Sequence, residues 1–421
     1  MKLDVVGMTV MAFAFTLVMC FADDGTPSIP ALVWYMLTIS TNYDSSFIRD
    51  NLFVLLMHAT GVFGSIGVYL YRNKVKIRLG KQFIGFLAMF IAMALGGILY
   101  DPSLTVKSFT SVFTIYFCMI IGYLYFLNVI KKSNAKYFAR IMTYTGLLLV
   151  LQTASFYLNG EYDFFTMVNY KLLEVGWGNS NSIGALLILI APFTLYLVAK
   201  VKIPILYILI FALEMLALVL TLSRGSMLMA VLGIPVLMVY TSIKAESKKT
   251  VLTSFVYLVV FAFVILLLNW DLVAIIFEKI NTLDSSGRTG IYALAVEDFL
   301  KSPIFGTSMY GRVAVDETNM FMVYWYHSTP FQFIANAGAV GLGAYILHLV
   351  FKYKMLFAKG DVINKFILFG VLMWSGYALI DVLYFSQNQI VFLVLSLVFA
   401  EKNVYNKNNI RQKNTKIKKI R

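Results

Sequence analysis

Long apolar runs dominate this sequence and constrain its fold more than any other feature. Of the 421 residues, 60% are hydrophobic, whereas soluble domains average roughly 45–50%. The excess is concentrated in runs of about 20 residues, the length of helix that crosses a bilayer. Such a helix satisfies its backbone hydrogen bonds internally. The sequence therefore predicts an all-α, polytopic membrane protein, with a single membrane domain over residues 1–401.

Basic residues in alternate connections predict the orientation of these helices. Of the 35 Lys and Arg residues, 27 fall on one predicted side and 8 on the other. Lys and Arg are retained on the cytoplasmic side, so both termini are predicted to be cytoplasmic, with residues 402–421 as a basic tail. This distribution also argues against nucleic acid as a partner, despite the net charge of +14. We predict about twelve spans, at approximately 4–22, 51–71, 82–100, 107–130, 137–158, 182–199, 203–221, 226–243, 250–268, 329–351, 363–383 and 388–400.

Two intervals between predicted spans on the outer side need separate interpretations. Residues 29–40 are apolar but too short to span, which favours a re-entrant or interfacial segment. Residues 269–328 form a large extracytoplasmic loop between the ninth and tenth predicted helices. Apolar residues in this loop recur near the helical period until Pro303 and Gly306 interrupt it. We therefore expect a helical cap on the outer membrane face.

Three predicted helix starts on the outer side carry a basic or titratable residue. Arg224 follows Ser223, Arg288 opens an amphipathic stretch, and His327 precedes a Thr-Pro start signal. A helix N-terminus attracts anions and disfavours a nearby Arg unless an anion is also present. The recurrence of this pattern predicts a site for a strongly negative group such as a diphosphate. Taken singly, each residue also has a simpler interpretation. Arg224 fits an arginine at the membrane interface, Arg288 fits a solvated loop residue, and His327 fits a histidine at the interface.

Other outer polar residues are weaker candidates. Asn179 and Asn181 precede a predicted span, where they can cap the helix or bind sugar hydroxyls and phosphate oxygens. Glu174 is an outer carboxylate that can act as a base. Arg312 lies in an irregular stretch near acidic residues. Three scattered histidines and no paired cysteines predict that the protein has no metal site.

The order of these segments resembles the O-antigen polymerase/O-antigen ligase superfamily, whose members are bacterial membrane glycosyltransferases similar in architecture to the GT-C class. The resemblance covers roughly residues 170–345. This chain departs from the family pattern in having Ser328 after the histidine, and in the spacing of glycines over residues 306–311. The matching segments are 178–181, 221–225, 287–288 with the amphipathic stretch that follows, 301–306, and His327 followed by 338–342.

The resemblance implies a metal-independent enzyme without a cofactor. Its donor would be an undecaprenyl-diphosphate-linked oligosaccharide at the outer leaflet of the bacterial inner (plasma) membrane, with the active site facing the exterior. Arg224 and Arg288 would bind phosphate oxygens, assisted by Ser223 and the other candidate binding residues. His327 would orient the diphosphate or accept the proton of the attacking hydroxyl, with Glu174 as the rival base.

Three functions remain open at this point. The first is a polysaccharide polymerase that joins lipid-linked repeat units, and the second is a ligase that moves finished glycan to a lipid or protein acceptor. The third is a transporter of a lipid-linked solute, which the absence of an internal repeat disfavours. Membrane lipid is an expected partner of all three, and a chain-length regulator protein is a further candidate partner of the polymerase.

Overall fold

The computed structural model describes residues 3–33, 52–100, 105–130, 134–160, 162–175, 178–268, 270, 274, 287–315, 321–358, 360–386 and 389–404. Helices account for most of these residues, and two short antiparallel hairpins account for the strands: β1 (Glu174–Val175) with β2 (Gly178–Asn179), and β3 (Val313–Val315) with β4 (Phe321–Val323). The helices that the text refers to are α1 (Leu3–Phe21), α2 (Leu52–Arg72), α3 (Lys81–Tyr100), α4 (Thr105–Val129), α5 (Ala135–Leu158), α6 (Phe164–Asn169), α7 (Ser180–Lys200), α8 (Ile205–Leu220), α9 (Arg224–Lys244), α10 (Lys248–Leu268), α11 (Arg288–Lys301), α12 (Thr329–Leu356), α13 (Val362–Ala378) and α14 (389–404).

Several of these helices have the length and composition of membrane spans. The all-α membrane class is thus confirmed, while the total of twelve spans and the full extent of the outer loop remain predictions. Within the described ranges, the six helices that qualify are Lys81–Tyr100, Ser108–Val129, Ala135–Leu158, Ser180–Lys200, Arg224–Lys244 and Thr329–Leu356.

Helix α7 is the centre of the bundle. Every residue from 183 to 199 is buried, and α5, α8, α9 and α13 pack around it. A helix that is apolar on all sides must be enclosed by others, and small residues allow neighbours to approach closely. The Gly184 position is one example, because a Cβ there would lie 2.3 Å from the Ser226 hydroxyl of α9.

Helices α3 and α12 pack side by side and run in opposite directions. A Cβ at Gly85 of α3 would lie 2.9 Å from the His348 Cα, and one at Gly96 would lie 2.4 Å from the Asn336 carbonyl oxygen. The start of α3 therefore lies beside the late part of α12, and its end beside the early part. With a rise of about 1.5 Å per residue, α3 separates the two ends of the molecule by roughly 30 Å.

Helix α12 is broken at Gly338, where the backbone adopts φ 61° and ψ −154°. The loop 303–308 packs into this break so tightly that a Cβ on Gly338 would lie 2.5 Å from the carbonyl of Ile304. The loop backbone supplies hydrogen-bond partners that the interrupted helix lacks. The bonds are Thr307 N to Ala335 O (2.8 Å), Ser308 N to Asn336 O (3.1 Å), Ala339 N to Pro303 O (2.8 Å) and Val340 N to Ile304 O (3.1 Å).

Several predicted boundaries differ from the observed ones. The span predicted at 329–351 is two helical segments joined across Gly338. The span predicted at 363–383 ends at Ala378, and a 3₁₀ turn over Leu383–Phe385 follows. The tail predicted to begin at residue 402 is helical as far as residue 404, and its remainder lies outside the described residues. The predicted cap contains a β-hairpin as well as a helix, and its stretch 275–286 also lies outside the described residues.

The turn that follows α1 lies at one end of the molecule, and the sequence predicted it at the other end. The guanidinium of Arg72, the last residue of α2, donates to the carbonyls of Cys20 and Ala22 and lies 3.5 Å from the Asp23 carboxylate. Helices α1 and α2 therefore end side by side. The outer position predicted for residues 29–40 is wrong for the described part of that segment, because the helix beginning at residue 28 starts near Arg72. This packing also conflicts with placing both the N-terminus and Arg72 in the cytoplasm.

Candidate functional site

Helix α9 begins at Arg224, as the sequence predicts, after a strained turn. The preceding Leu222 adopts a positive φ of 46°, a conformation that is uncommon for a non-glycine residue and is often associated with functional sites. The Ser223 hydroxyl does not cap α9. Instead it lies 3.0 Å from the hydroxyl of Tyr377, at the end of α13. Gly225 permits this approach, since a Cβ there would lie 2.4 Å from the Tyr377 ring.

Tyr377 connects Ser223 to a buried carboxylate. Its hydroxyl donates to Oδ2 of Asp381 at 3.0 Å, while the backbone N–H of Val382 donates to Oδ1 at 2.8 Å. The Asp381 side chain lies just beyond α13 and its residue is only 7% exposed. The Thr329 hydroxyl, at the start of α12, donates to the Asp381 carbonyl at 2.9 Å. These bonds join the starts of α9 and α12 to the end of α13.

Lys171 adds a third cation at this end of the molecule. It follows α6 with a positive φ of 58°, and its amine donates to Oδ1 of Asn181 at 2.7 Å. Desolvation by the surrounding protein, followed by the positive charges of Arg224 and Arg288, lowers the pKa of Lys171 to about 8, while Asp381 opposes this shift. Arg224, Arg288 and Asp381 therefore all interact electrostatically with Lys171, and we treat these four groups as one cluster.

Arg288 and His327 are linked through the first turn of α11. This helix begins at Arg288, after a glycine with φ 69°, and the hydroxyl of Tyr292 lies one turn further on. That hydroxyl is 3.4 Å from the His327 carbonyl oxygen, a long hydrogen bond, and the Tyr292 ring stacks on Phe331 of α12 at 4.5 Å. His327 itself adopts a positive φ of 48°. The starts of α11 and α12 are thus packed against each other.

We call Lys171, Arg224, Arg288 and Asp381 the cation cluster. The structure brings the two predicted arginines together within it, and His327 borders it through Tyr292 on one side and Thr329 on the other. Arg224 and Lys171 are exposed, and Arg288 is half-buried, so the cluster faces the outside of the bundle. Arg224 and Arg288 stand at helix N-termini, where backbone N–H groups lack partners within the helix.

The other predicted binding residues occupy the edge of the cluster. Asn179 caps α7, with its side-chain oxygen accepting from Ser182 N at 3.2 Å, so its capping role is confirmed. Asn181 accepts the hydrogen bond from Lys171. Glu174 is an exposed residue of β1, paired with Asn179 across the hairpin. The roles of Glu174 and Asn181 in binding or proton transfer remain predictions.

Arg312 is held by carboxylates of α11. Its guanidinium donates to Asp298 at 2.6 and 3.0 Å and lies 3.1 Å from Glu297. Desolvation alone would raise the pKa of Asp298, but hydrogen bonds from Arg312, Lys301 and Tyr326 lower it below its usual range. In this structure Arg312 therefore fastens the β3–β4 hairpin to α11. It is engaged away from the cation cluster, and we do not include it among the residues proposed to hold substrate.

Sequence reasoning missed three members of this arrangement. Lys171 appears in the sequence as one of few basic residues on the predicted outer side, which is a usable signal. Asp381 lies near the end of an apolar run, where an ionisable group is costly and therefore usually functional. Tyr377 carries no signal in sequence, because one tyrosine among 26 is not distinguished until its contacts are known.

Comparison with known proteins identifies the central part of the chain. Residues 205–346 match the family model described as O-antigen ligase. Over these residues the chain is similar to the O-antigen ligase family. The match confirms the resemblance to the O-antigen polymerase/O-antigen ligase superfamily. No curated protein and no solved structure matches the chain.

The matched segment runs from α8 into α12 and contains Arg224, Arg288 and His327. Lys171 lies before it and Asp381 lies after it, so the cation cluster combines residues of the matched segment with residues on both sides of it. Members of the family are glycosyltransferase-like enzymes that act on lipid-linked glycans in a membrane. Among the residues that the structure describes, no three His, Cys, Asp or Glu side chains are grouped as metal ligands would be. The absence of a metal requirement remains a prediction.

Proposed function

We propose that the cation cluster binds the diphosphate of an undecaprenyl-diphosphate-linked oligosaccharide and that the protein polymerises such repeat units at the outer face of the bacterial inner membrane. The observation that carries this proposal is the convergence of Lys171, Arg224 and Arg288 from three separate elements. Three cations close together repel one another, and the single Asp381 carboxylate offsets only part of that repulsion. Two of the cations, Arg224 and Arg288, stand at helix N-termini, which favours a ligand with several negative charges.

The charge of the cluster matches that of the donor. With Lys171 protonated, three cations and the Asp381 carboxylate leave an excess of two positive charges. A diphosphate esterified at both ends carries one negative charge on each phosphate, so it neutralises the cluster. Asp381 interacts electrostatically with Lys171, so it partly offsets the repulsion within the cluster when the donor has left. Its hydrogen bonds from Tyr377 and Val382 fix its position.

The reaction requires one bond to form and one to break. A hydroxyl of the acceptor sugar attacks the anomeric carbon of the donor, forming the new glycosidic bond and releasing its proton to a base. The bond between the anomeric carbon and the diphosphate oxygen breaks, and its electron pair leaves with undecaprenyl diphosphate. Negative charge therefore grows on the diphosphate, where Arg224 and Arg288 stabilise the transition state. No general acid is needed, because the leaving diphosphate is a weak base.

His327 and Glu174 remain the two candidate bases. His327 borders Arg288 through Tyr292. Beside a diphosphate held by Arg288, it can either accept the proton or donate a hydrogen bond to phosphate. Glu174 is paired with Asn179 on the hairpin and is exposed, so it is accessible to a polar acceptor. Separate His327→Gln and Glu174→Gln variants distinguish the two candidates. The variant that removes the base is expected to lose turnover while it still binds the donor.

The direct test of the proposal is turnover by the purified protein in detergent, where no compartments exist for transport. Given lipid-linked repeat units alone, the protein is expected to produce a ladder of longer glycans on the same carrier, with release of undecaprenyl diphosphate. Transfer of a whole glycan to a foreign lipid or protein acceptor, without a ladder, would instead identify a ligase. The matching family model is described as O-antigen ligase, which supports the ligase as a second candidate function. Absence of any glycosyl transfer would contradict both.

Lys171 gives the donor site a pH dependence. Because its pKa is about 8 in the empty site, the amine is charged at neutral pH and loses its proton as the pH rises above that value. An anion binds better to the protein in which Lys171 is charged. Above this pH, binding of the anion is therefore coupled to uptake of a proton by Lys171. Affinity for a dialkyl diphosphate, whose own charge is constant, is expected to fall about tenfold between about pH 7 and about pH 9.5.

Calorimetric titration of the full-length protein with this probe measures the effect. The Lys171→Arg variant retains its charge over the whole range and should bind with nearly constant affinity, while Lys171→Met should bind weakly at every pH. An equal decline in the wild-type protein and in the Lys171→Arg variant would show that another group titrates.

A further inference from the structure

A cavity lies near the start of α3, at the end of the molecule opposite the cation cluster. Its volume is about 700 Å³, and it is bounded by the connection between α2 and α3, the end of α4 and the end of α14. Its charged lining residues are the cations Lys74, Lys76, Arg78, Lys81 and Lys402 and the single acid Glu401. We call this cavity the basic pocket. Its described lining carries an excess of four positive charges.

The wall of the basic pocket is held in place by specific hydrogen bonds. The side-chain oxygen of Asn128 accepts from Arg78 N at 2.7 Å, and its amide nitrogen donates to Arg78 O at 3.2 Å and to Leu124 O at 2.8 Å. Asn73 donates to Tyr69 O at 3.1 Å. The irregular segment 73–80 is therefore attached to α2 and α4, although it has no regular secondary structure.

Glu401, the one acidic residue of the pocket lining, accepts hydrogen bonds from neighbouring residues. Glu401 accepts from the Tyr123 hydroxyl at 2.6 Å and from Lys81 N at 3.3 Å. Gly80 makes this contact possible, since a Cβ there would overlap the Tyr123 hydroxyl. Nearby, burial and then the charge of Arg78 lower the pKa of Lys402 to about 8. The cations of the pocket are therefore only partly compensated by this carboxylate, and an added anion would relieve their mutual repulsion.

Apolar side chains alternate with the basic ones along this wall. Ile77 and Leu79 are 66% and 64% exposed, and each lies between basic residues of the segment 74–81. The pairing of exposed apolar groups with Lys and Arg at the end of membrane helices matches the boundary between acyl chains and phosphate headgroups. A soluble phosphate compound would use the cations but would leave these apolar groups in water.

We propose that the basic pocket binds the phosphate headgroup of an anionic membrane phospholipid, with its acyl chains beside Ile77 and Leu79. Basic pockets between membrane helices are suited to such headgroups. The protein's own basic tail is not the occupant on grounds of charge, because residues 405–421 contain seven Lys and Arg and no Asp or Glu. The pocket lies at the end opposite the donor site, so this lipid is structural or regulatory and not a donor of sugar.

The test uses the full-length protein purified in a neutral detergent. Phosphatidylglycerol is titrated against it, with phosphatidylcholine, glycerol phosphate and inorganic phosphate as separate arms, and lipid retained on the protein is counted by native mass spectrometry. The Lys76→Gln/Arg78→Gln double variant removes two cations of the pocket. The Lys248→Gln/Lys249→Gln double variant is the matched control, because it removes two exposed cations at the start of α10.

We expect retention of phosphatidylglycerol by the wild-type protein and by the control, and about 30-fold weaker retention by the pocket variant. Phosphatidylcholine should not be retained selectively. Equal weakening in both double variants would overturn the proposal, because it would indicate attraction by net charge alone. Complete displacement of the lipid by glycerol phosphate would also overturn it, because the ligand would then be a soluble phosphate compound.

Discussion

Replacing Arg224 or Arg288 with alanine is expected to reduce glycan polymerisation at least about 100-fold. Loss of one preorganised donor from a site that stabilises developing negative charge costs on the order of 10²–10³ in rate, and both guanidinium groups belong to the cation cluster. Arg224→Lys and Arg288→Lys should be intermediate, because lysine restores charge without the two parallel hydrogen bonds of a guanidinium. The measurement is the initial rate of ladder formation by purified protein.

The control for this prediction is Lys248→Ala, which removes an exposed cation from the start of α10. It should polymerise like the wild-type protein. Each variant must also show the same elution profile and thermal transition, so that a loss of rate reflects the site. Chain lengths and rates equal to the wild type in either arginine variant would refute the role of the cluster in holding the diphosphate.

The second large effect is expected at the break in α12. Gly338→Ala forces a side chain into the left-handed region and places its Cβ 2.5 Å from the carbonyl carbon and oxygen of Ile304. Backbone strain of this kind costs on the order of 1–3 kcal/mol, and overpacking adds about 1–3 kcal/mol. The free energy of unfolding should therefore fall by about 2–6 kcal/mol, measured as a lower thermal transition in detergent.

Gly343→Ala is the matched control, because this glycine lies in the same helix with nothing near its missing side chain. Alanine favours a helix over glycine by roughly 0.5–1 kcal/mol, so this variant should be as stable as the wild type or slightly more stable. A Gly338→Ala protein that unfolds at the wild-type temperature would show that the loop 303–308 does not occupy the break in solution.

Local signals in the sequence predicted the helix starts but not their arrangement. The Thr-Pro signal after His327 and the Ser-Arg-Gly turn at Arg224 correctly marked the first residues of α12 and α9. Such signals act within one turn of a helix, so short windows of sequence contain them. The electrostatic interaction between Arg288 and Lys171 depends on how distant helices pack, and no local pattern encodes it.

The failures of sequence reasoning have physical causes as well. Hydropathy alone did not reveal the break at Gly338, because the residues on both sides of it are equally apolar. The ion pairs of Arg312 could not be read from the sequence, because its acidic partners, Glu297 and Asp298, are 15 and 14 residues away in the chain. The position of residues 29–40 was inferred from alternation of charged loops, which assumes that every apolar run too short to span stays on one side.

The loop 303–308 restricts which substitutions, insertions and deletions this chain can tolerate. It follows α11 directly and is paired through its backbone with residues on both sides of Gly338. The spacing between Arg288 and His327 is therefore set by main-chain pairing. Exchange of the side chains at Ile304 and Phe305 should be well tolerated over evolution. Gly306 should remain glycine, because its φ is 74° and an added Cβ would lie 2.3 Å from the Ala337 nitrogen. Insertion or deletion of a single residue in the loop would put the two halves of the site out of register.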